Sequence, residues 1–275
     1  MSDDYREKFS KQIINQEIKG LEHADTFEFS CRMCGECCHN REDILLSSYD
    51  VFRLSQYLKL QPLEFVGKYC DKYIGRDSKL PIISLLFKKR ESLGQEYTAC
   101  PFLKHRDGFL RCTVHQGKPF VCAAYPLGRA CQEKDGVRKV LYYKQDVSCG
   151  KSGVTQTVQE WLDSYGLNDS EEAFVAFSNF IVDLYDIIDL KKFNEDKSVS
   201  KEMINDFYLM LTYLLYWNYD IEKPFIPQYK INIEEIIEKT KEYVTILSTI
   251  GIRVVGQNYK IEPARATSIM EKLES

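Results

Sequence analysis

The stretch "CRMCGECC", residues 31–38, places four cysteines in eight positions. Cys31, Cys34 and Cys37 recur at intervals of three, and Cys38 follows directly. A C-x2-C turn lets two thiolates converge on one metal while backbone N–H groups face the sulfurs. Gly35 stands where such a turn needs a residue without a side chain. C-x2-C-x2-C also begins the cluster motif of bacterial ferredoxins, but the x3-C-P continuation is missing, because residue 41 is Arg41. A fourth ligand must come from Cys38 or from farther along the chain. Adjacent cysteines make poor disulfide partners, since their Cα atoms are too close together. They also tend to direct their side chains differently. Cys37 and Cys38 are therefore free to serve two centres, or to divide into a ligand and a spare.

Working outward, all ten cysteines lie between Cys31 and Cys149, and residues 150–275 contain none. Ten cysteines with no secretory signal in "MSDDYREKFS" point away from structural disulfides and toward metal binding or catalysis in a reducing, cytoplasmic setting. A second set follows the first. "CPFLKHRDGFLRCTVHQGKPFVCAAYP" (100–126) and "SCGKSG" (148–153) supply Cys100, Cys112, Cys122 and Cys149. Pro101 and Gly150 beside these cysteines suit tight loops around a metal. Eight thiolates can hold two four-coordinate centres. The competing reading is that four bind and the others are buried apolar cysteines. Cys70 shares a helical face with Leu63, Val66 and Ile74, which makes it a core residue; Cys131, in "LGRACQEKDG" (127–136), lies within the cluster region and is able to replace one of the eight. His39 adjoins Cys38, and His115 lies three residues after Cys112. Either suits a metal or its surroundings, and the plainer reading of both is a loop histidine.

The break in cysteine usage divides the chain into residues 28–150, a metal-binding cysteine-cluster domain, and residues 151–275, a helical region. With 44% hydrophobic and 28% charged residues the chain reads as globular, and a net charge of −4 gives no case for nucleic-acid binding through bulk charge. The most apolar run, "FYLMLTYLLYW" (207–217), is about half a membrane span and is flanked by Asn205, Asp206, Asn218 and Asp220, so a buried helix is expected and no membrane partner.

In the first part, "SSYDVFRLSQYLKL" (47–60) reads as a helix capped by Ser47 or Ser48, with Val51, Leu54 and Leu58 on one face. "QPLEFVGKYCDKYI" (61–74) reads as a second helix with Pro62 near its start. Strands are expected at 80–87 and 137–144, and at 109–114 after an Asp107-Gly108 turn. The basic run "FKKRES" (87–92) reads as a solvated loop. In the second part, helices are expected near 154–165, 170–192, 201–219, 232–249 and 263–273. A capping signal at Asp169 or Ser170 opens the second of these, and Phe174, Phe177, Ile181, Leu184 and Ile188 follow helical spacing. The polar stretch 191–201 reads as a flexible connection. Trp161, Trp217 and the tyrosines of 207–219 read as core rather than as a partner groove. The expected fold is mixed α+β, mostly α: a loop-rich cysteine-cluster domain with short strands, then a helical C-terminal region.

The ordered set "CRMCGECC", "CPFL" (100–103), Cys112, "KPFVCAAYP" (118–126) and "CG" (149–150) resembles the YkgJ-type cysteine-cluster family, recognised by CxxCxxCC and taken to chelate zinc or iron. The resemblance spans roughly residues 28–150. It implies that the family's cysteines fall on Cys31, Cys34, Cys37, Cys38, Cys100, Cys112, Cys122 and Cys149. The segment "LSSYDVFRLSQYL" (46–58) is also similar to the one after the family's cluster. The chain departs from the pattern at Lys118-Pro119, where Arg-Pro is usual, and at His115, where Tyr is usual; Lys cannot copy the fork of Arg. One branch of the family is similar to flagellin lysine N-methylases. Here no Gly-rich loop follows a strand to cradle a methyl donor, and "VVGQNYKIEP" (254–263) has a single glycine. The C-x3-C-x2-C spacing of radical chemistry is also absent: Cys34 and Cys38 have its first interval, but Arg41 stands at the third position.

Three functions fit these residues. The first is an iron–sulfur protein with one or two 4Fe–4S clusters, in electron transfer or protein modification; all-thiolate ligation and C-x2-C-x2-C favour it. The second is a structural zinc-binding module. The third is a protein lysine N-methylase-like enzyme. No Ser–His–Asp constellation is present to decide whether the chain is an enzyme. The expected partner is a protein substrate or a redox partner.

Overall fold

Ser47 starts the first helix, α1 (Ser48–Leu58), through a capping box. Its hydroxyl accepts the Asp50 N–H at 3.2 Å, and the Asp50 carboxylate accepts the Ser47 N–H at 2.9 Å. Two donors that a helix start leaves open are satisfied in this way. In this computed structural model residues 19–261 are described, except 42–43, 93, 107–108, 135–136 and 148. The expected helix at 263–273 and the Asp107-Gly108 turn lie outside the described residues. The chain divides into two compact units. One comprises the chain up to Lys72 together with Ile83–Glu171; the other comprises Tyr73–Ile82 together with the chain from Glu172 onward.

In the first unit α1 buries Val51, Phe52 and Leu54. Helix α2 (Pro62–Tyr69) has Pro62 in its first turn, where the missing N–H costs nothing. It stops at Tyr69, and the chain turns into a strand, β3 (Cys70–Ile74). The expected face of Leu63, Val66, Cys70 and Ile74 does not form: Leu63 is 57% and Ile74 40% exposed. The buried residues are instead Pro62, Phe65 and Val66, and the half-buried Tyr69 ring lies 5.8 Å from Phe65 and 4.9 Å from Phe102. Aromatic packing, not the aliphatic stripe, sets the rotation of this helix.

The rest of the unit is a series of short antiparallel ladders. They are formed by β1 (Thr26–Ser30), β2 (Leu45–Leu46), β4 (Pro81–Leu85), β5 (Lys88–Ser92), β6 (Gln95–Ala99), β7 (Leu103–Arg106), β8 (Phe109–Cys112), β9 (Leu127–Lys134), β10 (Val137–Lys144) and β11 (Lys151–Thr157). β2 pairs with β4, and β5/β6, β7/β8 and β9/β10 are hairpins. β1 pairs with β11, Thr26 opposite Thr157 and Ser30 opposite Lys151, so residues far apart in sequence share one ladder. Two short helices, α3 (Phe120–Ala123) and α4 (Val158–Asp163), complete the unit.

The expectation of a mostly helical fold is therefore wrong: the structure is 43% helix and 25% strand. The additional strands carry little apolar alternation. "KKRES", read as a solvated loop, is β5, and the expected helix at 154–165 is strand β11 followed by α4. A two-stranded ribbon with solvated faces is held by backbone hydrogen bonds and tolerates charge, so hydrophobic period does not reveal it. The boundary at 157/158 did carry a signal, the Thr157–Glu160 capping box.

The second unit is helical: α5 (Ser170–Ile187), α6 (Leu190–Glu195), α7 (Lys201–Thr212), a π-helical turn at Tyr213–Trp217, and α8 (Phe225–Thr249). α5 buries Ala173, Phe180, Leu184 and Ile187; of the expected face Leu184 and, just past the helix, Ile188 are fully buried, while Phe174, Phe177 and Ile181 are half-buried. α8 begins seven residues before the expected start, because Pro227 falls in its first turn. Nor is 191–201 a polar connection throughout: Phe193 and Val199 are buried. The Tyr185 and Tyr216 hydroxyls donate to the Ser78 and Pro81 carbonyls at 2.8 and 3.2 Å, which ties segment 73–82 into this unit. Among the described residues, no helix is long and apolar enough to cross a membrane.

Candidate metal centre

The knuckle at 31–38 is built by two left-handed residues, Met33 (φ 54°) and Gly35 (φ 75°). They turn the chain so that the Met33 N–H points at the Cys31 sulfur, 3.4 Å away. A side chain at Gly35 would be strained by that φ and would also bring a Cβ within 2.8 Å of Leu110. The turn Glu36–Cys38 follows, and the His39 ring Nδ1 bonds the Gly35 carbonyl at 2.8 Å. Next the chain runs antiparallel to the end of β6. The Cys100 N–H donates to the Cys38 carbonyl at 2.9 Å, and Asn40 and Thr98 exchange two bonds. The β7/β8 register sets Cys112 opposite Leu103, three residues after Cys100.

Cys122 lies on α3, which three side chains fasten. The Asp50 carboxylate accepts the Phe120 N–H at 2.6 Å. The Arg53 guanidinium donates to the carbonyls of Gln116, Lys118 and Tyr165, that to Lys118 at 3.2 Å. The Arg129 guanidinium lies 3.6 Å from the centre of the Phe120 ring. The Trp161 indole N–H donates to the Ala124 carbonyl at 3.1 Å, and the Tyr125 hydroxyl stands 3.2 Å from the Cys149 sulfur. Gly150 (φ 102°) is pressed against Phe29, where a Cβ would come within 2.3 Å of the ring.

These contacts bring Cys31, Cys34, Cys37, Cys38, Cys100, Cys112, Cys122 and Cys149 to the wall of one cavity of about 80 Å³. Cys70 and Cys131 are not on its wall, and of the two candidate histidines His115 is while His39 is not. The Cys37 and Cys38 sulfurs do not diverge, as their adjacency suggested; they stand 3.9 Å apart and face the same space. Much of the remaining wall is apolar, including Phe29, Leu85, Phe102, Leu110 and Val114. Cys100 is buried, while Cys31, Cys34 and Cys37 are exposed. All ten cysteines are free thiols. Among the described residues no group of three or more His, Cys, Asp or Glu side chains stands in position to hold a metal ion.

The thiols differ in acidity. Cys37 is drawn down to about 6 by the hydrogen bond from Cys38, assisted by Lys118 and Arg41 against the effect of burial. Cys38, as the donor, is pushed up. Burial pushes Cys100 up to about 11 and raises Cys112 and Cys122 as well. A metal entering here displaces protons from most of its ligands, and the soft, all-sulfur donor set fits zinc or iron.

One family's sequence model matches residues 30–150, the span that carries all eight cavity cysteines. Its description reads "Putative zinc- or iron-chelating domain", under the name CxxCxxCC. Residues 30–150, a little under half of the chain, are similar to the CxxCxxCC family. No curated protein and no solved structure matches the chain. The family's description names zinc or iron, and the all-sulfur donor set of this cavity is compatible with either. The shell around the cavity also draws on residues outside the matched span, Phe29 on β1 and Trp161 on α4. Sequence reasoning missed Asp50, Arg53 and Tyr125. Only Asp50 had a local signal, as the fourth residue of the Ser47 capping box.

Proposed function

We propose that the chain is an iron–sulfur protein whose centre, of the 4Fe–4S type, is held by thiolates from the eight cysteines of the cavity. One observation carries this reading: eight of the ten cysteines, drawn from distant segments, line a single cavity. An all-thiolate donor set that opens with C-x2-C-x2-C suits a polynuclear cluster. Such a cluster supplies one-electron transfer. The apolar wall limits water around the sulfurs, and Lys118 and Arg32, both on the wall, offset thiolate charge. Free thiols throughout suit a reducing compartment, and the reading implies the cytoplasm. A redox partner protein would meet the surface where Cys31, Cys34 and Cys37 are exposed beside Met33, which is 51% exposed.

Protein purified without oxygen is expected to be brown, to carry iron and acid-labile sulfide, and to show a visible band that dithionite bleaches. A second reading, a closed zinc site, is favoured by the 3.9 Å between the Cys37 and Cys38 sulfurs. That distance is close to the edge of a zinc–thiolate tetrahedron, about 3.8 Å for bonds of about 2.3 Å. A colourless preparation with stoichiometric zinc decides for it and against iron–sulfur.

A further inference from the structure

We infer that Tyr125 is a positioning residue that donates its phenolic O–H to the Cys149 sulfur and so raises the reduction potential of the bound cluster; this rests on the iron–sulfur reading. The hydroxyl and the sulfur are 3.2 Å apart, and both groups line the cavity. Among the described residues on the cavity wall, Tyr125 alone carries a hydroxyl. A metal-bound thiolate has no proton to give, so the phenol must be the donor.

The ring is held in place from two sides. It packs on Phe29 in a T-shaped arrangement with centroids 5.9 Å apart, and Phe29 packs on Trp161 at 5.8 Å. The Trp161 indole N–H bonds the carbonyl of Ala124, the residue before Tyr125, so backbone and ring are both fixed through one indole. Beside the sulfur, Gly150 leaves Phe29 no gap in which a side chain could stand. The arrangement is built around the O–H as well as around the ring. A donor aimed at a ligand sulfur withdraws negative charge from the centre. The reduced centre carries one more negative charge than the oxidised one, so the bond favours reduction.

The test uses the anaerobically purified full-length protein and a dye-mediated potentiometric titration of the visible band. Tyr125→Phe keeps the ring and its packing and removes only the donor. The expected result is a lower potential: at a fixed solution potential the reduced-to-oxidised ratio falls about tenfold, which for one electron is about 59 mV. Site-specific replacement of Tyr125 by a fluorotyrosine of the same shape, a stronger donor, is expected to move the potential the opposite way, and it serves as the test where Y125F does not assemble. An unmoved potential in Y125F, or a downward shift with the fluorotyrosine, overturns the inference. The two possible failures differ. A wild-type protein without iron removes the iron–sulfur reading and this inference with it. A normal wild-type cluster whose potential ignores Tyr125 removes this inference alone.

Discussion

The Asp50 carboxylate accepts the backbone N–H of Phe120 across 70 positions of sequence, at 2.6 Å, while its other oxygen closes the capping box with Ser47 at 2.9 Å. One buried side chain thus joins the start of α1 to the start of α3, and Cys122 stands two residues beyond that bond. Asp50→Ala is expected to destabilise the protein by about 2–4 kcal/mol, since it removes a cap and leaves a buried N–H without its acceptor. Ser47→Ala removes the cap alone and is expected to cost about 1 kcal/mol. Chemical denaturation of the two variants checks the difference, and elemental analysis should show metal loss in D50A but not in S47A.

Arg53 reaches the carbonyls of Gln116, Lys118 and Tyr165 with one planar fork. A lysine has the charge but not the fork. Arg53→Lys is expected to lose about 1–3 kcal/mol of unfolding free energy and to loosen the loop before α3. Faster amide exchange at 116–122 in R53K, with exchange in α8 unchanged, is the measurement.

The cavity separates the cysteines into two groups. Cys34→Ser and Cys122→Ser are expected to lower metal content sharply, because both sulfurs are on its wall. Cys70→Ser and Cys131→Ser are expected to retain it, because neither is. Metal per protein, determined on folded material, decides. Full occupancy in C122S, or loss in C131S, would contradict the geometry.

The metal-free protein should lose stability as pH rises from 9 to 11. Burial holds the Cys100 thiol up at about 11, above the value of 9.0 it has when unfolded. Between these values the folded state keeps a proton that the unfolded state has lost, so raising the pH favours unfolding. Cys100 alone accounts for up to about 2–3 kcal/mol by pH 11. The metal-loaded protein, its ligands already thiolates, should show no such decline. Acid should act in the opposite sense, with protons competing for sulfur and releasing metal. Melting temperatures of both forms across pH 7–11 test the alkaline limb.

Much of this protein was legible locally. The Ser47 cap, α1, the strand at 137–144 and the glycine at the knuckle all follow from residues a few positions apart, where sterics and short-range hydrogen bonds act. The ribbon at 88–99 and the strand β7 were not, because their charged, solvated faces leave no hydrophobic period, whereas β8 falls within the strand expected at 109–114. The rotation of α2 was misread because rings from another segment, Phe102 among them, decide which side is buried.

By itself the sequence determined which cysteines to suspect and that sulfur, rather than nitrogen or oxygen, dominates the donor set. Only the tertiary structure decided that eight of them face one cavity, that Cys37 and Cys38 lie side by side, and that Cys70 and Cys131 stand apart. It also decided that Asp50, Arg53 and Tyr125 hold the walls. The physical reason is reach. A turn is specified by the conformations of three or four residues, whereas a hydrogen bond between residues 70 positions apart exists only once the chain between them has folded.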